Sequence, residues 1–203
     1  MLIEELTSLT NNGEYNMTEE SMHPSKMIRF SYLITFIAAV LYVVIYIFLR
    51  FRTIDQSMTN IFATLFKESF LLEFFILMFF AALFMGLGLF VKAALLARHC
   101  GNKWSDIKFK LVRGIEKPYC LARVPVTIKQ YIIAVFAYVF IVAVMPYIIA
   151  FIVGDFMFVF VSFITVIWAS GDILMLILLR KKKRDDYILD LDCVLLYKIY
   201  SKK

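Results

Sequence analysis

Four long apolar runs constrain this chain more than any other feature of its sequence. A helix needs about 20 apolar residues to cross the hydrocarbon core of a bilayer, because it rises only about 1.5 Å per residue. Hydrophobic residues make up 62% of the chain, well above the roughly 45–50% of a soluble domain. The sequence therefore predicts one all-α membrane domain over residues 27–203, with transmembrane helices at residues 32–49, 70–96, 131–153 and 156–179.

The segments on either side of the first apolar run are of a different kind. Residues 1–26 are polar and acidic, and such a segment cannot bury enough surface to offset the entropy lost on ordering, so we expect a mobile tail. In residues 50–69 the apolar side chains recur at the spacing of one helix face, which predicts an amphipathic helix on the extracytoplasmic membrane surface. Its apolar face would consist of Ile54, Met58, Ile61, Phe62, Leu65 and Phe66.

The positions of the basic residues predict the topology, because cytoplasmic loops carry the excess of Lys and Arg. With four spans, the loop of residues 98–130 and the tail of residues 180–203 share one side with the N-terminus and hold most of the cations. Both termini are therefore expected in the cytoplasm. The net charge of +6 then reflects topology and does not indicate a nucleic-acid partner. The densest basic run either only sets topology or also faces anionic lipid: Arg180, Lys181, Lys182, Lys183 and Arg184.

The cytoplasmic loop contains the pattern of a half-exposed strand. Ile107, Phe109 and Leu111 alternate with lysines, the period of two that is typical of β-structure. A turn-forming stretch follows, and residues 119–124 are suited to return as the second strand of a hairpin. Residues 187–200 are rich in β-forming residues and either add to this structure or form an interfacial helix. We expect the Ile107–Leu111 edge to be able to bind a peptide strand.

Three ionisable residues fall within the predicted spans: Glu73, Lys92 and Asp172. Such a residue costs about 2.5–3.5 kcal/mol on insertion scales, so each one needs a partner or a route to water. Glu73 lies near the outer interface, where a solvated carboxylate is expected. Lys92 and Asp172 lie at similar depth near the inner ends of their spans and are predicted to form an ion pair. The alternative for Lys92 is that its long stem reaches the headgroups without a partner.

Other kinds of site find little support in the sequence. The two histidines are His23, in the polar tail, and His99, at the membrane interface, and neither lies in a nucleophile motif. The cysteines Cys100, Cys120 and Cys193 match no zinc-binding spacing. There is no glycine-rich phosphate loop. The sequence therefore predicts no cofactor.

Several short segments, taken in order, nevertheless resemble a known family. They are Ile107-Lys-Phe109, Pro118-Tyr-Cys120, Pro125, Tyr131, residues 145–154 (MPYIIAFIVG), Gly171-Asp172, Leu179-Arg180, Asp190 and Tyr200. In this order and spacing, the chain from about Gly86 to Tyr200 resembles the small bacterial membrane proteins described as putative zincin peptidases, whose layout is similar to that of site-2 intramembrane metalloproteases. The resemblance implies a location in the bacterial cytoplasmic membrane.

The resemblance also implies a zinc motif, H-E-x-x-H, on the second span, in which two histidines one helical turn apart bind the metal and the glutamate activates water. In the matching window, residues 88–96, this chain reads GLFVKAALL and has neither histidine nor glutamate. The histidines expected just after Cys120 and Asp190 are replaced by Leu121 and Leu191. Asp172, by similarity the carboxylate that would support the metal, remains.

Catalytic zinc needs about three protein ligands and a positioned base. The sequence therefore predicts a non-catalytic relative that binds or regulates a membrane protein or peptide. Its biological role would be regulation, immunity or substrate sequestration. One alternative is an active membrane metallopeptidase with a displaced metal site built from Asp172, Asp190, His99 and the cysteines. Another is a small transporter or channel subunit, for which the spans offer few polar residues.

Overall fold

The computed structural model describes residues 7–10, 14–21, 24–50, 70–100, 104–112, 117–153, 157–190 and 196–202. Its helices are α1 (Pro24–Arg50), α2 (Phe70–His99), α3 (Ile128–Val139), a π-helical segment (Phe140–Val144), α4 (Met145–Val153) and α5 (Met157–Leu179). A 3₁₀ turn (Trp104–Asp106) precedes the first strand pair. The strands are β1 (Tyr15–Ser21), β2 (Ile107–Val112), β3 (Lys117–Ala122), β4 (Val126–Thr127), β5 (Tyr187–Asp190) and β6 (Leu196–Lys202).

The described part of the chain contains three helical stretches that are long and apolar enough to cross a membrane: Phe74–His99, Ile128–Val153 and Phe158–Leu179. They correspond to the second, third and fourth predicted spans. In α1, a helix of 27 residues, the described apolar stretch is Tyr32–Ile45, and several side chains on either side of it are not described, so the first predicted span stays a prediction. The structure thus supports a mostly helical membrane protein, with three such helices in the part of the chain that is described. The amphipathic helix predicted over residues 50–69 lies outside the described residues, except for Arg50, which is the last residue of α1.

The third span contains a local widening of the helix at Pro146. Proline has no N–H, and its ring clashes with the carbonyl four residues earlier. The chain accommodates it with the π-helical segment Phe140–Val144, in which the Met145 N–H donates to the Phe140 carbonyl, five residues back. The start of α3 is held by a capping box, since Thr127 and Gln130 each accept the other's backbone N–H with a side-chain oxygen, at 3.4 and 3.2 Å.

Two antiparallel sheets accompany the helices. One is the hairpin β2–β3, in which Phe109 faces Cys120 across the ladder. The other has the strand order β1-β6-β5-β4. For residues 187–200 the sequence allowed either a strand or an interfacial helix. Their described part forms β5 and the start of β6.

The prediction of a mobile tail was wrong for residues 15–21. These residues form β1, which pairs along its whole length with β6, from Tyr15 opposite Lys202 to Ser21 opposite Leu196. Tyr15 also packs against the buried Leu189 and Tyr200. A polar segment can be ordered in this way because the neighbouring strand satisfies its backbone hydrogen bonds, a contribution that local composition does not show.

The chain divides into two compact units. The first comprises Met1–Ile28, Leu89–Tyr138 and Gly171–Lys203, and it holds both sheets. The second comprises Arg29–Gly88 and Val139–Ser170.

Within the second unit, Tyr42 of α1 and Tyr147 of α4 contact each other through their rings and hydroxyl groups. Their rings stack at 4.2 Å. The Tyr42 hydroxyl donates to the Ala143 carbonyl at 2.8 Å, and the Tyr147 hydroxyl donates to the Tyr42 carbonyl at 2.8 Å. This reciprocal pair joins α1 to the π-helical segment, because Ala143 lies in that segment.

Candidate functional site

The candidate site is built from the inner ends of two membrane helices. Lys92 lies seven residues before the end of α2 at His99, and Asp172 lies seven residues before the end of α5 at Leu179. Seven residues of helix correspond to about 10 Å. The two residues therefore stand at matching distances from the ends of their helices.

The structure brings the two charged groups into direct contact. The Lys92 Nζ lies 2.8 Å from Asp172 Oδ1, and each side chain is only 1% exposed. Lys92 is among the largest fully buried side chains described. Because both groups are buried, each charge is compensated by the other and not by water. An ammonium that extended to the headgroups would not compensate Asp172 in this way.

Three tyrosines surround the ammonium. The Lys92 Nζ lies 4.3 Å from the ring centre of Tyr119, 5.6 Å from that of Tyr138 and 6.0 Å from that of Tyr131. The hydroxyls of Tyr119 and Tyr131 are 3.1 Å apart and share a hydrogen bond. An aromatic face attracts a cation through its quadrupole, with about 0.5–2 kcal/mol per favourable contact. We call Lys92, Asp172, Tyr119, Tyr131 and Tyr138 the lysine cluster.

The sequence analysis did not identify these tyrosines as part of the site. One signal was present, because Tyr131 and Tyr138 are seven residues apart and so share one face of α3. Both are buried there. Tyr119 gave no such signal, since it reaches Lys92 from β3 and only the tertiary fold brings that strand to α2.

The other predicted site residues differ in exposure, and some of their side chains are not described. Ile107 is buried and Phe109 is 56% exposed, while the side chains of Leu111, Glu73 and Asp190 are not described. In the basic run, Lys182 is half-buried and four residues are exposed: Arg180, Lys181, Lys183 and Arg184.

Cys100, at the end of α2, belongs to the predicted alternative metal site. Burial, and to a lesser extent the Asp106 carboxylate, raises the pKa of its thiol above the ordinary value. A raised pKa keeps the free thiol protonated at neutral pH. Cys193 lies outside the described residues.

The donor set around Asp172 does not suit zinc. An ammonium has three donor hydrogens and no lone pair, so Lys92 cannot be a ligand while it is charged, and its charge repels a divalent cation. The rings of Tyr119, Tyr131 and Tyr138 lie around the same ammonium. Among the residues that the structure describes, no group of three or more His, Cys, Asp or Glu side chains is placed to hold a metal.

Comparison with known proteins gives one match. The model of a family described as "putative zincin peptidase" matches residues 90–187, a segment that includes the entire lysine cluster. No curated protein and no solved structure matches the chain significantly. The resemblance seen in the sequence is thus confirmed over this segment, and from residue 90 to residue 187 the chain is similar to the putative zincin peptidases.

Proposed function

We propose that this chain is a non-catalytic relative of the zincin-type membrane peptidases and that it binds or regulates a membrane protein or peptide. It carries out no peptide hydrolysis of its own. Its partner is a single-span protein or a membrane-active peptide. The biological outcome is regulation of an active relative, sequestration of a substrate, or immunity to the peptide.

One observation carries the non-catalytic part of the proposal. In the segment that matches the peptidase family, a buried ammonium forms an ion pair with Asp172, with its Nζ 2.8 Å from the carboxylate oxygen. Lys92 lies in the window where the resemblance implies the zinc motif, and the nearest carboxylate is neutralised by it. A tethered cation in this position neutralises Asp172 with its single positive charge, without a bound water to activate.

The binding part of the proposal rests on the hairpin. β2 and β3 form a sheet of two strands, so within the described residues β2 is paired on one edge by β3. The second edge of a strand can accept an extended peptide through main-chain hydrogen bonds. Phe109, half-exposed on β2, then provides an apolar contact for a side chain of the added strand, and Ile107 and Leu111 lie on the same strand.

The location follows from the charges. We propose that the protein lies in the bacterial cytoplasmic membrane with both termini and the hairpin on the cytoplasmic side. The basic residues 180–184 then face the headgroups of anionic lipids. The apolar faces of the helices contact the bilayer.

Metal analysis tests the non-catalytic proposal. Protein purified from membranes of cells grown with added zinc is expected to hold far less than one zinc per chain and to leave a model transmembrane peptide uncut. The matched variant is Asp172→Asn, which removes the carboxylate charge at similar volume. Stoichiometric zinc in the wild-type chain that is lost in Asp172→Asn would overturn the proposal and favour the metallopeptidase alternative.

Site-specific photo-crosslinking tests the binding proposal. A benzophenone amino acid at Phe109 is expected to give one discrete polypeptide adduct in native membranes. The same probe at Phe136, which is 61% exposed on a membrane helix, serves as the control for contact with lipid. The adduct must be identified, and the purified partner must bind the purified chain more weakly when Phe109 is replaced by Asp. Equal labelling at both positions would refute binding at the hairpin.

A further inference from the structure

An aromatic pair lies at the start of the hairpin, outside the lysine cluster. Phe90 of α2 and Trp104 of the 3₁₀ turn stack with ring centres 5.9 Å apart and an interplanar angle of 25°. Both are large apolar side chains that remain exposed, Phe90 by 60% and Trp104 by 51%. Exposed apolar surface of this kind indicates a site of contact with another molecule or with the membrane.

The stacking contact places Trp104 beside α2. Phe90 lies nine residues before the end of α2 at His99, which is about 13 Å along the helix. Trp104 comes only five residues after His99. Trp104 nevertheless lies back alongside α2, because its ring stacks on that of Phe90. Tyr119 of β3 makes a second, independent contact with the same part of α2, because its ring lies 4.3 Å from the Nζ of Lys92.

The depth of Phe90 in the bilayer follows from the length of α2. Its 30 residues span about 45 Å, the thickness of a bilayer with its headgroups, while the hydrocarbon core occupies about 30 Å. For a helix centred in the bilayer, the core boundary falls about five residues before His99, and Phe90 lies about 6 Å below it. Tryptophan is enriched at this boundary, where its ring contacts acyl chains and its N–H reaches polar groups.

We propose that the Phe90–Trp104 pair is a lipid-binding surface that anchors the start of the β2–β3 hairpin in the cytoplasmic leaflet. The occupant is the upper part of a phospholipid acyl chain together with the glycerol region. Lipid is chosen as the occupant because the pair is continuous with a membrane helix. Phe90 is an exposed side chain within the stretch Phe74–His99, and Trp104 covers one face of the Phe90 ring. The hairpin therefore begins within the membrane and not on its aqueous surface.

Tryptophan fluorescence tests this directly, because the chain has two tryptophans, Trp104 and Trp168. The variant Trp168→Phe leaves Trp104 as the only tryptophan, and excitation at a wavelength that tyrosine does not absorb isolates its emission. In vesicles of phosphatidylcholine and phosphatidylglycerol, we expect its emission to be quenched most strongly by bromine atoms in the upper acyl chain and less by bromine near the bilayer centre. Aqueous iodide is expected to quench it weakly.

The variant Trp104→Phe provides the matched control, since Trp168 lies within the α5 stretch Phe158–Leu179. Its emission is expected to be quenched by the deeper bromines. If Trp168→Phe does not fold, the emission of the wild-type chain minus that of Trp104→Phe gives the emission of Trp104. Strong iodide quenching of Trp104 together with no effect of any brominated lipid would overturn the proposal. The purified chain is used without any partner, so the result does not depend on the proposed function.

Discussion

Replacement of Lys92 by Met provides the sharpest test of the lysine cluster. Methionine has a similar length and volume, so the packing changes little while the charge is lost. Asp172 would then remain as a buried carboxylate, 1% exposed, without its cation. Removing one partner of a buried ion pair costs about 3–5 kcal/mol. This corresponds to an unfolding equilibrium constant raised about a hundredfold to several thousandfold.

The second substitution separates the charge from the packing. Asp172→Asn on its own leaves the ammonium without a counter-charge and should also destabilise the protein. The double variant, Lys92→Met with Asp172→Asn, contains neither charge. We expect it to be about 2–3 kcal/mol more stable than the sum of the two single effects predicts, since contacting residues couple by such amounts.

The assay is reversible unfolding in mixed micelles with increasing SDS, followed by circular dichroism. Lys181→Met is the matched control, because the same substitution is made at an exposed lysine, where changes stay within about 0.5 kcal/mol. If Lys92→Met is as mild as Lys181→Met, or if the double variant is additive, the buried pair does not stabilise the fold in the way described.

Three further predictions use the same assay or a simple labelling reaction. Tyr119→Phe keeps the ring over Lys92 and loses the hydrogen bond to Tyr131, so it should cost about 1 kcal/mol, and Tyr119→Leu should cost more because the cation–π contact also disappears. Tyr42→Phe and Tyr147→Phe each lose one hydrogen bond and should cost about 0.5–1.5 kcal/mol, with the double variant non-additive because the two rings are in contact. The raised pKa of Cys100 lowers its thiolate fraction, so iodoacetamide should label it more slowly at pH 8 than a free thiol, with the rate rising at higher pH than usual.

Each of these predictions has a clear contrary result. Equal losses for Tyr119→Phe and Tyr119→Leu would show that the ring contributes nothing to the energy of the ammonium. Strict additivity of the Tyr42 and Tyr147 variants would show that the reciprocal pair is two independent bonds. A Cys100 labelling rate equal to that of a small-molecule thiol, measured against a Cys100→Ser control, would contradict the raised pKa.

Much of the architecture could be read from hydropathy, because an apolar run long enough to cross a bilayer has few other structures available. The alternation from Ile107 to Leu111 likewise predicted β-structure, and the structure has β2 there. Both patterns are local. The meeting of Lys92 and Asp172 could be anticipated from depth alone, since two charges near the inner ends of apolar helices have few other ways to avoid desolvation.

Features that depend on distant parts of the chain were not predictable in this way. The strand β1 is polar, and its order derives from β6, which lies about 180 residues further along the chain. The position of Tyr119 over Lys92 depends on where the hairpin packs. The π-helical segment before Pro146 is one of several ways in which a helix can accommodate proline, and no local pattern of residues distinguishes among them.

The ammonium of Lys92 is joined to the chain by covalent bonds, and this has a consequence for the life of the protein in the cell. A metal ion has to be captured after synthesis, competes with other cellular ligands and can be withdrawn. A lysine is made together with the helix that carries it and cannot dissociate. The charge balance at Asp172 is therefore complete as soon as the two helices meet, and it is the same in a cell that is starved of zinc as in one that is supplied with it.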